Sequence, residues 1–196
     1  MTLLFSHRSS LPSLSRTQVL LAMGLTAVLL LAVAKLWLHF EPHILLPVTF
    51  SPQHGGLGVG LGLGVTLLSA LIYHFWPAYR HSADAYLQMV LQPLHWLDLP
   101  WLGLLPGLSE ELLFRGVMLP AIGLTTTGMV VSAASFGVLH LSSWQQWPYV
   151  LWASLIGLML AGSAVATGNL LVPVVAHIIT NLSSSLLWKW RYQRAV

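Results

Sequence analysis

The sequence predicts an all-α, polytopic membrane protein: a transmembrane helix bundle of about six spans. Three observations carry this. The 196 residues are 56% hydrophobic and only 7% charged, where a soluble domain has about 25% charged residues. Mean hydropathy is +0.77. From Gly116 to Trp188 there is no Asp, Glu, Lys or Arg, a stretch long enough for three spans of ~20 residues joined by tight turns. The pI near 9.6 does not mark a nucleic-acid surface, because the basic residues form no single face. They lie in Arg8 and Arg16 before the first apolar run, in Lys35 and Arg80, and in Lys189, Arg191 and Arg194 after the last. That placement fits positive-inside anchoring with both termini cytoplasmic. The absence of Cys excludes disulfides, thiolate metal sites, a Cys nucleophile and S-acylation.

Residues 1–16 are Ser-rich and polar and read as a mobile cytoplasmic N-terminus. Residues 17–99 hold two spans and an interfacial segment. Thr17 to about Phe40 is the first span. Its competitor is a signal peptide cleaved after Ala32-Val33-Ala34, but the apolar run exceeds the ~7–15 residues of an ordinary signal core. Glu41 to Gln53, with three prolines, is an external loop. Gly55 to Tyr79 is the second span. Its glycines Gly56, Gly58, Gly60, Gly62 and Gly64 lack the Gly-Lys-Ser/Thr ending of a phosphate loop and suit small-xxx-small helix packing. Residues 81–99 mix Asp84, Gln88, Gln92, His95 and Asp98 with aromatics. They read as an interfacial amphipathic segment, with a further short span as the alternative. Residues 100–190 are the charge-poor core. Pro100 opens it with Asp98 available as a cap; Pro106-Gly107 should interrupt the helix and Ser109 should cap a fresh one to about Ile122. Helices are then expected over Thr125–Ser143, Trp147–Thr167 and Asn169–Trp190, with residues 191–196 as a cytoplasmic tail.

Between Asp98 and Lys189 the charged residues are Glu110, Glu111 and Arg115 alone. A charge at the centre of a membrane helix costs at least ~2.5–3.5 kcal/mol, so these residues point to function. Glu111 and Arg115 are spaced i and i+4 in the favoured orientation for a helical ion pair. Glu110 is turned by about 100° and faces elsewhere, so Arg115 is expected to neutralise Glu111 while Glu110 faces a cavity. His140 closes Phe136-Gly137-Val138-Leu139-His140, and His177 and Asn181 share one helix face. At ~1.5 Å per residue, Glu110, His140, His177 and Asn181 all fall within about one leaflet. One shared site explains that coincidence better than three unrelated polar residues.

The ordered set Glu110-Glu111-x-x-x-Arg115, Phe136-x-x-x-His140 and His177-x-x-x-Asn181 resembles the CPBP family of intramembrane proteases, the CAAX-processing and Abi (bacteriocin-processing) proteins. The phrase Gly168-Asn169-Leu170-Leu171-Val172-Pro173 is also typical of it, and the similarity covers about residues 100–190. The resemblance implies a helical fold enclosing a polar intramembrane cavity, and an endopeptidase in which Glu110 and His140 activate water while His177 and Asn181 stabilise the oxyanion. Glu111 and Arg115 become a supporting ion pair and Phe136 a neighbour of the site. The implied substrate is a membrane-embedded or lipidated peptide reaching the cavity from the bilayer, with no nucleic acid involved, in the plasma membrane of a bacterium. No cofactor is favoured. Zinc on Glu110, His140 and His177 is the alternative, although the chain has no His-Glu-x-x-His. Two other functions compete: a non-catalytic immunity or scaffold protein, and a small proton-coupled transporter, for which no inverted repeat is visible.

Overall fold

A computed structural model describes residues 14–195; most of the expected N-terminal segment and Val196 lie outside the described residues. Among these residues there are helices and no strands. Helix α1 spans Arg16–Phe40, α2 Pro52–Phe75 and α3 Pro77–Leu91. A 3₁₀ turn at Trp96–Asp98 leads into α4, Leu99–Glu111, which continues without a break through a π-helical segment, Leu112–Met118, into α5, Leu119–Ile122. Then follow α6, Thr126–Val138, α7, Trp147–Thr167, and α8, Leu171–Ala195. Four segments are long and apolar enough to cross a membrane: Arg16–Phe40, Pro52–Phe75, Trp144–Thr167 and Leu171–Gln193. The composite α4–α5 rod and the shorter apolar α6 bring the bundle to the six expected spans. Helix α3, set off from α2 by Pro77, occupies most of the segment expected to be interfacial.

Helix α8 is the axis of the bundle, held between α2 and α4 by glycines. A Cβ on Gly62 would sit 2.6 Å from the Ala176 carbonyl oxygen, and one on Gly58 2.6 Å from Val175 Cβ. On the other side a Cβ on Gly107 would lie 2.5 Å from Ile178 Cγ1. Gly56, Gly60 and Gly64 face open space, so only one stripe of the glycine-rich segment packs. Gly62→Val should therefore force α2 off α8 and destabilise the protein by about 1–3 kcal/mol, whereas Gly60→Ala should be neutral or slightly stabilising. Thermal melting in detergent distinguishes the two.

Three local expectations are corrected. Helix α4 runs through Pro106-Gly107, and the Ser109 hydroxyl donates to the Leu105 carbonyl at 2.7 Å instead of capping a new helix. Packing of Gly107 on Ile178 explains the glycine, and membrane helices tolerate proline where neighbours re-satisfy the backbone. Helix α6 stops at Val138, short of Ser143, because His140 Nδ1 takes the Phe136 carbonyl at 3.0 Å. A continuing helix would give that carbonyl to the His140 N–H, which bonds Gly137 instead. Asp98 makes no side-chain cap on α4. Its carboxylate accepts from the His95 N–H at 2.7 Å and from Arg16 Nε and Nη2 at 2.8 and 2.7 Å.

The Arg16–Asp98 fork ties the start of α1 to the turn before α4. Hydrogen bonds from the Arg16 guanidinium hold the Asp98 carboxyl down at about 2. A depressed carboxylate contributes stability above its unfolded value of ~3.9 and loses it as pH falls toward the folded value. The melting difference between the wild type and Arg16→Gln should thus be full at neutral pH and shrink below about pH 4. Lys189, expected to be an anchoring charge, is buried and donates to the Leu91 and Leu94 carbonyls, closing the C-terminal end of α3.

The loop at residues 41–51 is clasped to the opposite rim. Asn169 Oδ1 accepts from the N–H groups of Thr49 and Leu171, both at 3.0 Å, and its Nδ2 donates to the Thr49 carbonyl at 2.8 Å. Leu170 N–H donates to Pro47, and Leu46 N–H to Gly116, both at 2.9 Å. Gly168 turns the chain at φ 60°, a left-handed conformation that suits glycine. The phrase Gly168-Asn169-Leu170 is thus a backbone clasp. Helix α8 begins at Leu171 rather than Asn169 in consequence.

Candidate active site

The α4–α5 rod supplies the acidic motif, and its geometry is set by the π-helical stretch that follows it. Widening the helix to i→i+5 alters the carbonyl partners, and in a membrane each freed group needs another. Ser132 Oγ donates to the Phe114 carbonyl at 2.8 Å. The Gly116 carbonyl, four residues before Pro120 with its missing N–H, receives Leu46. Single-turn π segments are common at functional sites; nothing in the sequence pattern announced this one.

Glu111 and Arg115 are both fully buried and form the expected ion pair, Arg115 Nη1 to Glu111 Oε1 at 2.8 Å. Arg115 Nη2 donates to the Gly157 carbonyl of α7 at 2.9 Å, and its guanidinium lies 4.4 Å from the Phe136 ring centroid, a cation–π contact. A side chain on Gly157 would meet Arg115 Nη2 at 3.0 Å. The i,i+4 spacing did not reveal a third partner. His177 Nδ1 lies 2.8 Å from the same Glu111 Oε1, so Glu111 orients the histidine as well as the arginine.

Glu110 points away from that pair, as the 100° offset requires. Its Oε2 lies 4.0 Å from His177 Nε2 and, although buried, has no hydrogen-bond partner in the protein. Burying an unsatisfied polar group costs about 1–3 kcal/mol, so this oxygen is held ready for something else. Glu110, His140, His177 and Asn181 all line one cavity of about 600 Å³ bounded by α1, α2, α3, α4, α6, α7 and α8. The convergence expected from depth is therefore present.

Tautomers follow from the partners. The Phe136 carbonyl only accepts, so His140 Nδ1 carries the hydrogen. Glu111 Oε1 accepts from Arg115, and His177 Nδ1 likewise donates to it. Each neutral ring then has its lone pair on Nε2. Phe136 packs edge-on to His177 at 5.6 Å and tilted against His140 at 4.9 Å, so one ring steadies both imidazoles.

Tyr86, in the segment read as interfacial, and Tyr149, which no sequence motif singles out, both line the cavity. They stack at 4.6 Å, and their centroids lie 6.3 and 6.1 Å from His140. Burial, reinforced by the Glu110 carboxylate, pushes the Tyr86 phenol up to about 12, which keeps it a neutral donor. The bare Nε2 atoms and the Glu110 carboxylate are donors of the right chemistry for zinc. As placed, however, no three His, Asp or Glu side chains among the described residues are grouped to hold a metal ion.

The fold and this cavity define a multi-pass helical membrane protein with a carboxylate–imidazole site inside the bundle. Residues 92–183 match the family model described as Rce1-like, type II CAAX prenyl endopeptidase. The matched segment contains Glu110, Glu111, Arg115, His140, His177 and Asn181, and the match agrees with the CPBP resemblance of the motifs. The chain is also 28% identical over 122 residues to the uncharacterized protein YpbD of Bacillus subtilis (strain 168), a match covering 62% of this chain and 62% of that protein's length. No solved structure matches.

Proposed function

We propose that this protein is an intramembrane endopeptidase that hydrolyses membrane-associated or lipidated peptides, acting without a metal, with both termini on the cytoplasmic side of a bacterial plasma membrane. The Rce1-like match supports a protease. The observation that carries the mechanism is the partnerless Glu110 oxygen on the cavity wall, 4.0 Å from His177 Nε2.

In this reading Glu110 accepts a proton from a water molecule while the water oxygen attacks the peptide carbonyl carbon. His140 Nε2 is the second acceptor. The tetrahedral oxyanion is met by Asn181 Nδ2 and by His177, which serves there as an imidazolium, since its Nδ1–H is committed to Glu111. Collapse breaks the C–N bond, and the proton taken from water passes to the leaving amine. Each preorganised donor is worth ~2.7–4 kcal/mol in such a site.

The test is a peptide and lipopeptide library offered to purified protein and to Glu110→Ala side by side. Cleavage by the wild type alone is expected; equal cleavage by both removes the assignment. A phenotype unaffected by Glu110→Ala and His140→Ala in folded protein would favour a non-catalytic immunity or scaffold role. Elemental analysis of the purified protein should find no stoichiometric metal, with activity surviving chelation. One tight zinc per chain would replace the metal-free mechanism.

A further inference from the structure

Hydrolysis inside a bundle consumes one water per bond cleaved, and that water needs a path through an apolar surround. The outer walls of the large cavity are poorly suited to it: Val19, Met23, Val90 and Leu102 line it along α1, α3 and α4. A second, smaller pocket of about 180 Å³ lies between α2, α3 and α8. It shares four lining residues with the large cavity: Ser69, Tyr79, Leu87 and Ser184. Three of these four carry hydroxyls. Ser69 Oγ accepts from Trp152 Nε1 at 3.1 Å, and the Ser184 hydroxyl has no partner within the protein among the described residues.

The far side of the small pocket is polar as well. Asp84, whose two carboxylate oxygens accept from Tyr73 at 2.8 and 2.9 Å, lines it together with Arg191 and Tyr192. Charged groups of this kind belong at the membrane–water boundary. Hydroxyls therefore run from a charged rim to the partition behind which Glu110 lies.

We propose that the small pocket is the water inlet of the active site, a hydroxyl-lined neck between α2, α3 and α8 that supplies the water molecule, leaving the apolar walls along α1 to the peptide. The role of that water rests on the hydrolase reading; the neck itself does not.

The chain has no cysteine, so single-cysteine labelling reports directly. Full-length protein in lipid nanodiscs carries Ser184→Cys and meets a charged, water-soluble methanethiosulfonate. Glu41→Cys, in the exposed loop after α1, serves as a reference, and Ala161→Cys, fully buried and lining neither pocket, as a blank. Ser184→Cys should react rapidly. Adding Ala70→Trp, a residue that lines the small pocket only, should slow that reaction at least ~10-fold and leave Glu41→Cys unchanged. Ala70→Leu is the smaller plug if Trp prevents folding. The plug should also lower kcat with KM preserved. An unreactive Ser184→Cys, a reaction indifferent to the plug, or a blocked neck with unchanged kcat each overturns the inlet. If labelling behaves as expected but Glu110→Ala cleaves as well as the wild type, the protease reading fails and the neck stands.

Discussion

Glu110→Gln should abolish peptide hydrolysis while leaving the protein at least as resistant to heat as the wild type. A general base contributes typically 10²–10⁴-fold, and Gln cannot accept the proton from water. Stability should not suffer, because Glu110 Oε2 makes no hydrogen bond that the exchange could remove. A neutral amide is also easier to bury than a carboxylate. Turnover of a cleaved library peptide and a melting curve in the same detergent check both halves. A variant that loses activity only because it unfolds would show Glu110 to be structural. Asn181→Ala should fall short of this loss, costing about the ~2.7–4 kcal/mol of a single oxyanion donor.

Arg115→Ala should be the most destabilising single change in the bundle, at about 3–5 kcal/mol, because it strands the fully buried Glu111 without its counter-charge. The guanidinium also spans to the Gly157 carbonyl and the Phe136 ring, so α4, α6 and α7 lose a common contact. The paired replacement Glu111→Leu with Arg115→Met separates two roles. Substituting both charges by apolar groups is often neutral for stability, so this variant should fold. It should nevertheless be nearly inactive, since His177 Nδ1 loses the Glu111 oxygen at 2.8 Å and nothing then fixes its tautomer. Full activity in a folded double variant would show that Glu111 serves Arg115 alone.

Much of this arrangement is legible in the sequence, and the boundary has a physical cause. Composition and the charge-free stretch suffice for the helical membrane fold, since a bilayer leaves a helical chain few other solutions. The offset between Glu110 and Glu111 is fixed by helix geometry, which is why their separate directions are readable from spacing alone. Contacts between distant segments are different. The bond of Glu111 to His177 joins residues far apart in the chain, and no spacing rule reaches that far. Pro106-Gly107 misleads because what the glycine serves, close packing on Ile178, lies on another helix. Asn169 reads as the first residue of a helix, when its amide is committed to Thr49. His140 ends α6 through its own side chain, an outcome that propensity does not encode.

The clasp around Asn169 has a mechanical consequence. It fastens the connection between α1 and α2 to one rim of the bundle through three separate attachments, while the start of α1 is held at the other rim by Arg16, whose side chain is 49% exposed. Helix α1 is therefore fastened by several attachments at the Asn169 end and by a single half-exposed ion pair at the Arg16 end, so the latter is the weaker of its two moorings.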